Sequence, residues 1–373
     1  MLRKKMLLVL ALVLLLMPPG LACNGQNRSG SSSGAAGPAS AEKAAAPEPP
    51  LADWPPAAPG EDASRSDSVI GDILGKMPPT LLVGDALIYP GDTASIVLKL
   101  GRGFGSTSIK TYGGYTVVIT DAEGKEVKRE RTDQNGQIPF ERKFEQAGNY
   151  FFRAGVDGKV EETDVRPALF CVYVRAKESP MVICDMDKTL VQSGFLRVVT
   201  GGAQPFDHAA EVVGRLVKEK RLTVLYLTHR PDFFEASSKQ WLRLNRFPPG
   251  PLYTGDIGGL LAGSGAFKSG ELGRIKQRFA NLKLGIGDKY SDTAAYVAND
   301  IRPVLIPDIK WDKEKADYWQ EQLRELEGLK SDVTVCRNWF EIEEALFGEK
   351  EFPPKRLIGP VKDMIKALQR GGK

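Results

Sequence analysis

The sequence predicts an antiparallel β-sandwich followed by an α/β unit on a parallel sheet, with the chemistry in the second. Three observations predict it. Short runs rich in branched and aromatic residues, separated by turn signals, fill residues 79–175. From Pro180 the pattern changes to apolar runs divided by longer amphipathic stretches, the alternation of parallel β-α units with right-handed crossovers. Finally, Asp185 and Asp187 stand directly behind the apolar run Met181–Cys184, where charge is costly unless a cation or a substrate lies there.

In chain order, the first element is an export signal over residues 1–22. Arg3, Lys4 and Lys5 precede an apolar core at 6–17 that is too short for a spanning helix. Gly20-Leu21-Ala22-Cys23 resembles a bacterial lipobox, in which Cys23 is lipidated and becomes the mature N-terminus. Gly20 occupies the place where leucine is usual. A membrane-anchored lipoprotein of the cell envelope is the expectation, with a plain secreted protein or an uncleaved anchor as alternatives. Residues 23–67 are dominated by Ala, Pro, Ser and Gly, too poor in apolar surface to offset ordering entropy, and read as a disordered tether.

Residues 68–178 form the β unit, with the runs TLLVG, ASIVLKL, YTVVITD, NYFFRAGV and ALFCVYV. Turns are expected at Asp121-Ala-Glu-Gly124 and Asp133-Gln-Asn-Gly136. About seven strands in this length suggest an immunoglobulin-like sandwich, either a spacer or a binding module. Residues 179–350 form the α/β unit, with strands at MVICD, LTVLYLT, LKLGIGD and RPVLIPD. Three of these runs end in Asp185, Thr228 and Asp288, where an open parallel sheet opens its ligand crevice. Residues 351–373 form a basic amphipathic tail with Val361, Met364, Ile365 and Leu368 on one helical face. That face either packs on its own domain or meets a membrane.

Two positions apart at a strand end, Asp185 and Asp187 project into one cleft about 6–7 Å apart. Thr189 follows with a hydroxyl suited to tying the turn. Thr228 ends the next strand, Lys268 lies in SGAFKSGEL, and GIGDKYSDTAAY supplies Asp288 and Asp292. This ordered set resembles the four motifs of the haloacid dehalogenase (HAD) superfamily of phosphohydrolases, and the fold it implies is a Rossmann-like parallel sheet. The resemblance implies that Asp185 is the nucleophile that forms an aspartyl-phosphate. Asp187 would serve as general acid and base, with a carboxyl raised by its neighbour. Thr228 and Lys268 would hold phosphoryl oxygens. Asp185, the backbone carbonyl of Asp187 and Asp288 would bind Mg²⁺. Asp292 would bind the metal directly, bind it through water, or orient Lys268. Thr189, Arg230 and His229 are the candidate substrate-binding residues.

Between the motifs there is room for loops, single helices and a strand, but not for a large cap, so the site is expected to be open and its substrate large. VICDMDKTLVQSG, LYLTHRPDFFEASSKQWL and RFPPGPL are similar to the catalytic domain of lipin-type phosphatidate phosphatases. That similarity covers about residues 180–345. Lys188 stands where that family has glycine, His229 replaces a small residue, and the lipin N-terminal domain is missing. The resemblance implies a phosphorylated lipid substrate, met at a membrane through the Cys23 anchor. The apolar stretch 257–267 is a second candidate for lipid contact.

Losing residues 1–22 takes the formal charge from +4 to +1, and a near-neutral chain gives no reason to expect a nucleic-acid partner. Rival readings are a phosphatase on a nucleic-acid end or a phosphoprotein, and a non-catalytic envelope lipoprotein that binds through its sandwich. With only His208 and His229 in the chain, a histidine-built zinc site is not expected. Cys171, Cys184 and Cys336 sit in apolar runs and read as buried thiols, or as one disulfide plus one thiol.

Overall fold

A computed structural model describes residues 53–56, 78–104, 107–193, 202–256, 259, 261 and 263–371. The leader, Cys23 and most of the tether lie outside the described residues. Residues 53–56 correct the tether's boundary. Trp54 Nε1 donates to the Phe247 carbonyl at 2.8 Å, and its ring lies 5.8 Å from that of Phe151. One indole with a satisfied N–H outweighs the polar composition around it.

Eleven strands precede the parallel sheet: β1 (Thr80–Leu82), β2 (Ala86–Ile88), β3 (Thr93–Phe104), β4 (Thr107–Thr111), β5 (Thr116–Asp121), β6 (Glu126–Arg131), β7 (Gln137–Lys143), β8 (Gly148–Val156), β9 (Lys159–Val160), β10 (Thr163–Asp164) and β11 (Ala168–Val174). They form one sheet of β1-β3-β4 with β7 on β3, a second of order β2-β11-β8-β5-β6, and the β9–β10 hairpin. Pairing is antiparallel except between β2 and β11. Leu98, Leu100, Ile138 and Phe140 of the first sheet share a core with Ile119, Phe152, Phe170 and Val172 of the second. Both expected turns form, with Gly124 and Gly136 at φ +82° and +72°, a left-handed conformation that glycine adopts without strain.

The second region begins with β12 (Met181–Cys184), α1 (Ala209–Lys218), β13 (Thr223–Pro231) and a 3₁₀ turn (Asp232–Phe234). It continues through α2 (Glu235–Leu244), β14 (Leu252–Gly255), α3 (Ser264–Arg278), β15 (Leu282–Gly287) and α4 (Tyr290–Ala298). It closes with β16 (Arg302–Leu305), α5 (Ala316–Gly328), β17 (Thr334–Val335), α6 (Trp339–Phe347) and α7 (Lys355–Gly371). The protein is thus a mixed α/β chain whose six-stranded sheet is wholly parallel, in the order β14-β13-β12-β15-β16-β17. This is the doubly wound arrangement, with the order reversing between β12 and β15.

Strand β12 is buried on both faces, which is why it reads as an unbroken apolar run. Val182 and Cys184 pack with α1 and α6, whereas Met181 and Ile183 pack with α3 and with Leu87, Phe151, Cys171 and Tyr173 of the antiparallel region. The run ALFCVYV is continuous for the same reason. Phe170, Val172 and Val174 enter the core between the two sheets, and Cys171 and Tyr173 enter the core shared with the parallel sheet.

Two further expectations resolve here. Val361 of α7 is buried, and Met364, Ile365 and Leu368 pack partly buried in a cluster with Trp319 and Leu326 of α5. The described part of the tail therefore carries a helix of the α/β region, Lys355–Gly371, whose apolar face packs on α5. Cys171, Cys184 and Cys336 are free, buried thiols. Among the described residues no helix is long and apolar enough to cross a membrane.

Candidate active site

The sheet order places the carboxyl ends of β12 and β15 side by side at the point of reversal, where Asp185 and Asp288 emerge. Asp292 lies in the first turn of α4, which follows β15 directly. Carboxylate oxygens of Asp185, Asp288 and Asp292 lie within 4.8 Å of one another, and all three residues are buried. Gly287 makes this possible, because a Cβ there would sit 2.7 Å from Asp292 Oδ2. Lys268, fully buried on α3, brings its ammonium to 3.0 Å from Asp185 and 2.7 Å from Asp292. Thr228, also fully buried, lies near the end of β13, the strand paired with β12 on the side away from β15.

Three like charges out of water do not all stay ionised. Burial, then Asp185 and Asp292, pushes the Asp288 carboxyl up to about 8. Burial and Asp185 also push Asp292 up, against the pull of Lys268. Burial pulls the Lys268 ammonium down, but Asp185 and Asp292 outweigh it and the net shift is upward.

In this group Asp288 Oδ1 and Asp292 Oδ2 find no hydrogen-bond partner among the described residues, and neither do the buried hydroxyls of Thr228 and Thr189. Orphaned buried oxygens are rare in folded proteins and call for an explanation. For the two aspartates a bound cation would supply it. The carboxylates are an all-oxygen donor set suited to a divalent metal, and the hydroxyls are free to donate.

Asp187 stands apart. Its side chain is 21% exposed, and both carboxylate oxygens accept from Arg230, at 2.7 and 3.0 Å. Its expected side-chain neighbour was a second carboxylate; the structure supplies a guanidinium. Arg230 itself was expected to reach a substrate, but it is 1% exposed. Its third nitrogen donates to Ser238 Oγ at 2.8 Å. The sequence reading missed Ser238, whose only signal was a small polar residue on the buried side of an amphipathic helix.

Thr189 does not tie the turn with its hydroxyl. Backbone bonds from Leu190 and Val191 N–H to the Met186 carbonyl do so instead, and Trp339 Nε1 caps the Thr189 carbonyl at 2.9 Å. His229 is half-buried, with Nε2 3.1 Å from the Gly259 carbonyl, and burial holds its imidazole below the usual range. Of the stretch 257–267, residues 257, 258, 260 and 262 lie outside the described residues, while Leu261 is exposed and Phe267 is buried. A separate cavity of about 540 Å³ is lined by Thr254, Asp256, Phe267, Glu271 and Arg274 among others. No member of the aspartate group lines it.

The family model described as the LNS2 domain of PITM 1-3 matches residues 182–306. That third of the chain spans β12 to β16 and contains Asp185, Asp187, Thr228, Lys268, Asp288 and Asp292. The match supports a HAD-like phosphatase. No curated protein matches the chain.

Among solved structures, a D,D-heptose 1,7-bisphosphate phosphatase from B. bronchiseptica, crystallised with magnesium and phosphate, is 16% identical. The similarity covers 46% of this chain and 99% of that one, with a TM-score of 0.35. A CARDB domain from Pyrococcus furiosus is 20% identical over 26% of this chain and 90% of its own, with a TM-score of 0.20. A conjugative transposon lipoprotein from Bacteroides eggerthii is 14% identical over 26% and 98%, with a TM-score of 0.19. At these scores none of the three carries an argument about this chain.

Proposed function

We propose that this protein is a Mg²⁺-dependent phosphomonoester hydrolase that works through an aspartyl-phosphate. Its substrate is a phosphorylated lipid, phosphatidate first, met at a membrane to which Cys23 anchors the chain. One observation carries the reading: the buried carboxylates of Asp185, Asp288 and Asp292 converge beside Lys268 at the reversal point of a parallel sheet, with Asp288 Oδ1 and Asp292 Oδ2 unpartnered.

In the first step an Asp185 oxygen attacks phosphorus, the P–O bond to the alcohol breaks, and Asp187 gives its proton to the departing oxygen. In the second, water attacks the same phosphorus, Asp187 takes the water's proton, and Asp185 leaves as a carboxylate. Asp187 is suited to both duties because, at 21% exposed, it is the one acid of the set that faces solvent. Lys268 and the Thr228 hydroxyl stabilise the charge that gathers on the phosphoryl oxygens. Asp185, Asp288, the Asp187 carbonyl and Asp292 would hold Mg²⁺, which when bound supplies electrostatic stabilisation of those oxygens.

Lipid as substrate is supported by the absence of a cap among the described residues. A 3₁₀ turn, α2, β14 and α3 are the only described elements between β13 and β15. The two-sheet region is read as an immunoglobulin-like domain, and export to the cell envelope follows from the leader.

The test is turnover. The full chain, with Mg²⁺ and with EDTA, is given phosphatidate in vesicles, a phosphopeptide, a 5′-phosphorylated oligonucleotide and p-nitrophenyl phosphate. Metal-dependent phosphate release, fastest on phosphatidate and abolished by Asp185→Asn with an unchanged far-UV spectrum, is expected. Undiminished release by Asp185→Asn would remove the nucleophile and the mechanism with it.

A further inference from the structure

Asp85 lies in the β1–β2 connection of the antiparallel region, yet its side chain is only 2% exposed. Its Oδ1 accepts from the Lys239 ammonium at 2.7 Å and from the Cys171 N–H at 2.9 Å, while Oδ2 accepts from the Leu252 N–H at 3.2 Å. Lys239, 3% exposed, also donates to the Leu169 carbonyl at 3.3 Å and sits 2.6 Å from Glu235. One carboxylate therefore ties β11, α2 and β14 together. A buried ion pair is a weak source of stability, because desolvation offsets its attraction. What this one supplies is a fixed position for α2.

The neighbour of Lys239 on α2 is Ser238, fully buried, whose Oγ accepts from Arg230. Successive helix residues point about 100° apart, so α2 presents Lys239 to the antiparallel region and Ser238 to Arg230. The two remaining guanidinium nitrogens hold both oxygens of Asp187. A continuous path of polar contacts and one helix thus runs from Asp85 to the acid whose proton the reaction needs.

We infer that Arg230 is a positioning residue that aims Asp187 at the leaving oxygen, and that the two-sheet region sets this aim through Asp85 and α2. The inference rests on the phosphatase reading above. It makes the N-terminal strands part of the catalytic apparatus rather than a spacer.

The test uses esters that differ in their need for a proton. A nitrophenolate leaves without one; an alkoxide does not. Values of kcat/KM on p-nitrophenyl phosphate and on phosphatidate in vesicles, the alkyl ester, are measured with the full chain for wild type, Ser238→Ala, Ser238→Thr and Asp85→Asn. Ser238→Ala and Asp85→Asn are expected to lose about tenfold on the alkyl ester and less than about twofold on the aryl ester, with Ser238→Thr near wild type. Equal losses on both esters, no loss on either, or a gain on the alkyl ester would each overturn the inference. Should Asp85→Asn not fold, Asp85→Glu, which keeps the charge but displaces it, reads the same ratio. A wild type inert on both esters sinks the phosphatase reading and this inference with it. Wild-type turnover with a flat ratio sinks this inference alone.

Discussion

Lys239 and Lys268 are both enclosed, and both lie between carboxylates, but their surroundings differ in kind. Around Lys239, each oxygen of Asp85 has a protein donor, and the lysine itself meets Asp85, the Leu169 carbonyl and Glu235, whose Oε1 is paired with it by charge at 2.6 Å but makes no hydrogen bond. Around Lys268, Asp288 Oδ1 and Asp292 Oδ2 have no hydrogen-bond partner among the described residues. The cluster around Lys239 is closed by its own partners except at Glu235 Oε1 and acts as a joint, whereas the aspartate group gathers three carboxylates and leaves an oxygen on two of them to be completed from outside.

The largest expected effect tests that contrast directly. Lys239→Met strands Asp85 and Glu235 without their cation, and Lys268→Met strands the aspartate group. Removing one partner of a buried pair costs about 3–5 kcal/mol, a fall on the order of 10 °C for a chain of this size. Millimolar Mg²⁺ should recover much of the loss in Lys268→Met, because that group can take a cation from solution. Lys239→Met, whose aspartate group is intact, should gain no more from Mg²⁺ than wild type does. Thermal melts with and without Mg²⁺ read both. Equal recovery, or none in either, would break the comparison.

The same contrast explains what the sequence made legible. Asp185, Thr228 and Asp288 announced themselves because each follows an unbroken apolar run, and the parallel sheet delivers all three to one edge. The joint stayed invisible. Asp85 and Lys239 lie 154 residues apart with no pattern linking them, and only the packing of two regions reveals the pair. Strand β6, EVKRER, was missed because it lies at a sheet edge with little burial on either face, so no apolar alternation marks it. Arg230 was seen but misplaced: its spacing after Thr228 puts it near the cleft, yet Ser238 and Asp187 claim all three nitrogens.

A pH series gives the next largest effect. In metal-free protein Asp288 is pushed up to about 8, chiefly by burial and then by Asp185, from an ordinary value of 3.8. Between those two values the folded chain holds a proton that the unfolded chain has released. This contribution to stability is full below about pH 4 and lost as pH rises through 8, with a slope of at most about 1.4 kcal/mol per pH unit. Glu235, pushed to about 7 by burial against the pull of Lys239, adds a slope of the same sign. Asp288→Asn and Glu235→Gln should each flatten the curve in part, with Asp292, also pushed up by burial and Asp185, left to contribute a slope of the same sign in melts from pH 5 to 9. A mutant that changes nothing would show its carboxyl to be ionised throughout.

The smallest effect concerns Lys188, three residues after Asp185. Its φ is +66°, a left-handed conformation that costs a side-chain-bearing residue about 1–2 kcal/mol. In return its ammonium reaches the Gln192 carbonyl at 2.9 Å and lies 3.9 Å from Asp308, both partners accessible to water and so worth little. Lys188→Gly relieves the strain and adds about 0.5–1 kcal/mol of unfolded-state freedom, so the net change should be a gain of no more than about 1 kcal/mol. If the lysine is kept for the fold, nothing else changes. If it is kept for an anionic surface beside the cleft, KM for phosphatidate vesicles rises while kcat/KM for p-nitrophenyl phosphate holds. That second outcome is the expected one, because a strained lysine three residues after Asp185 has no structural return that a glycine would not exceed.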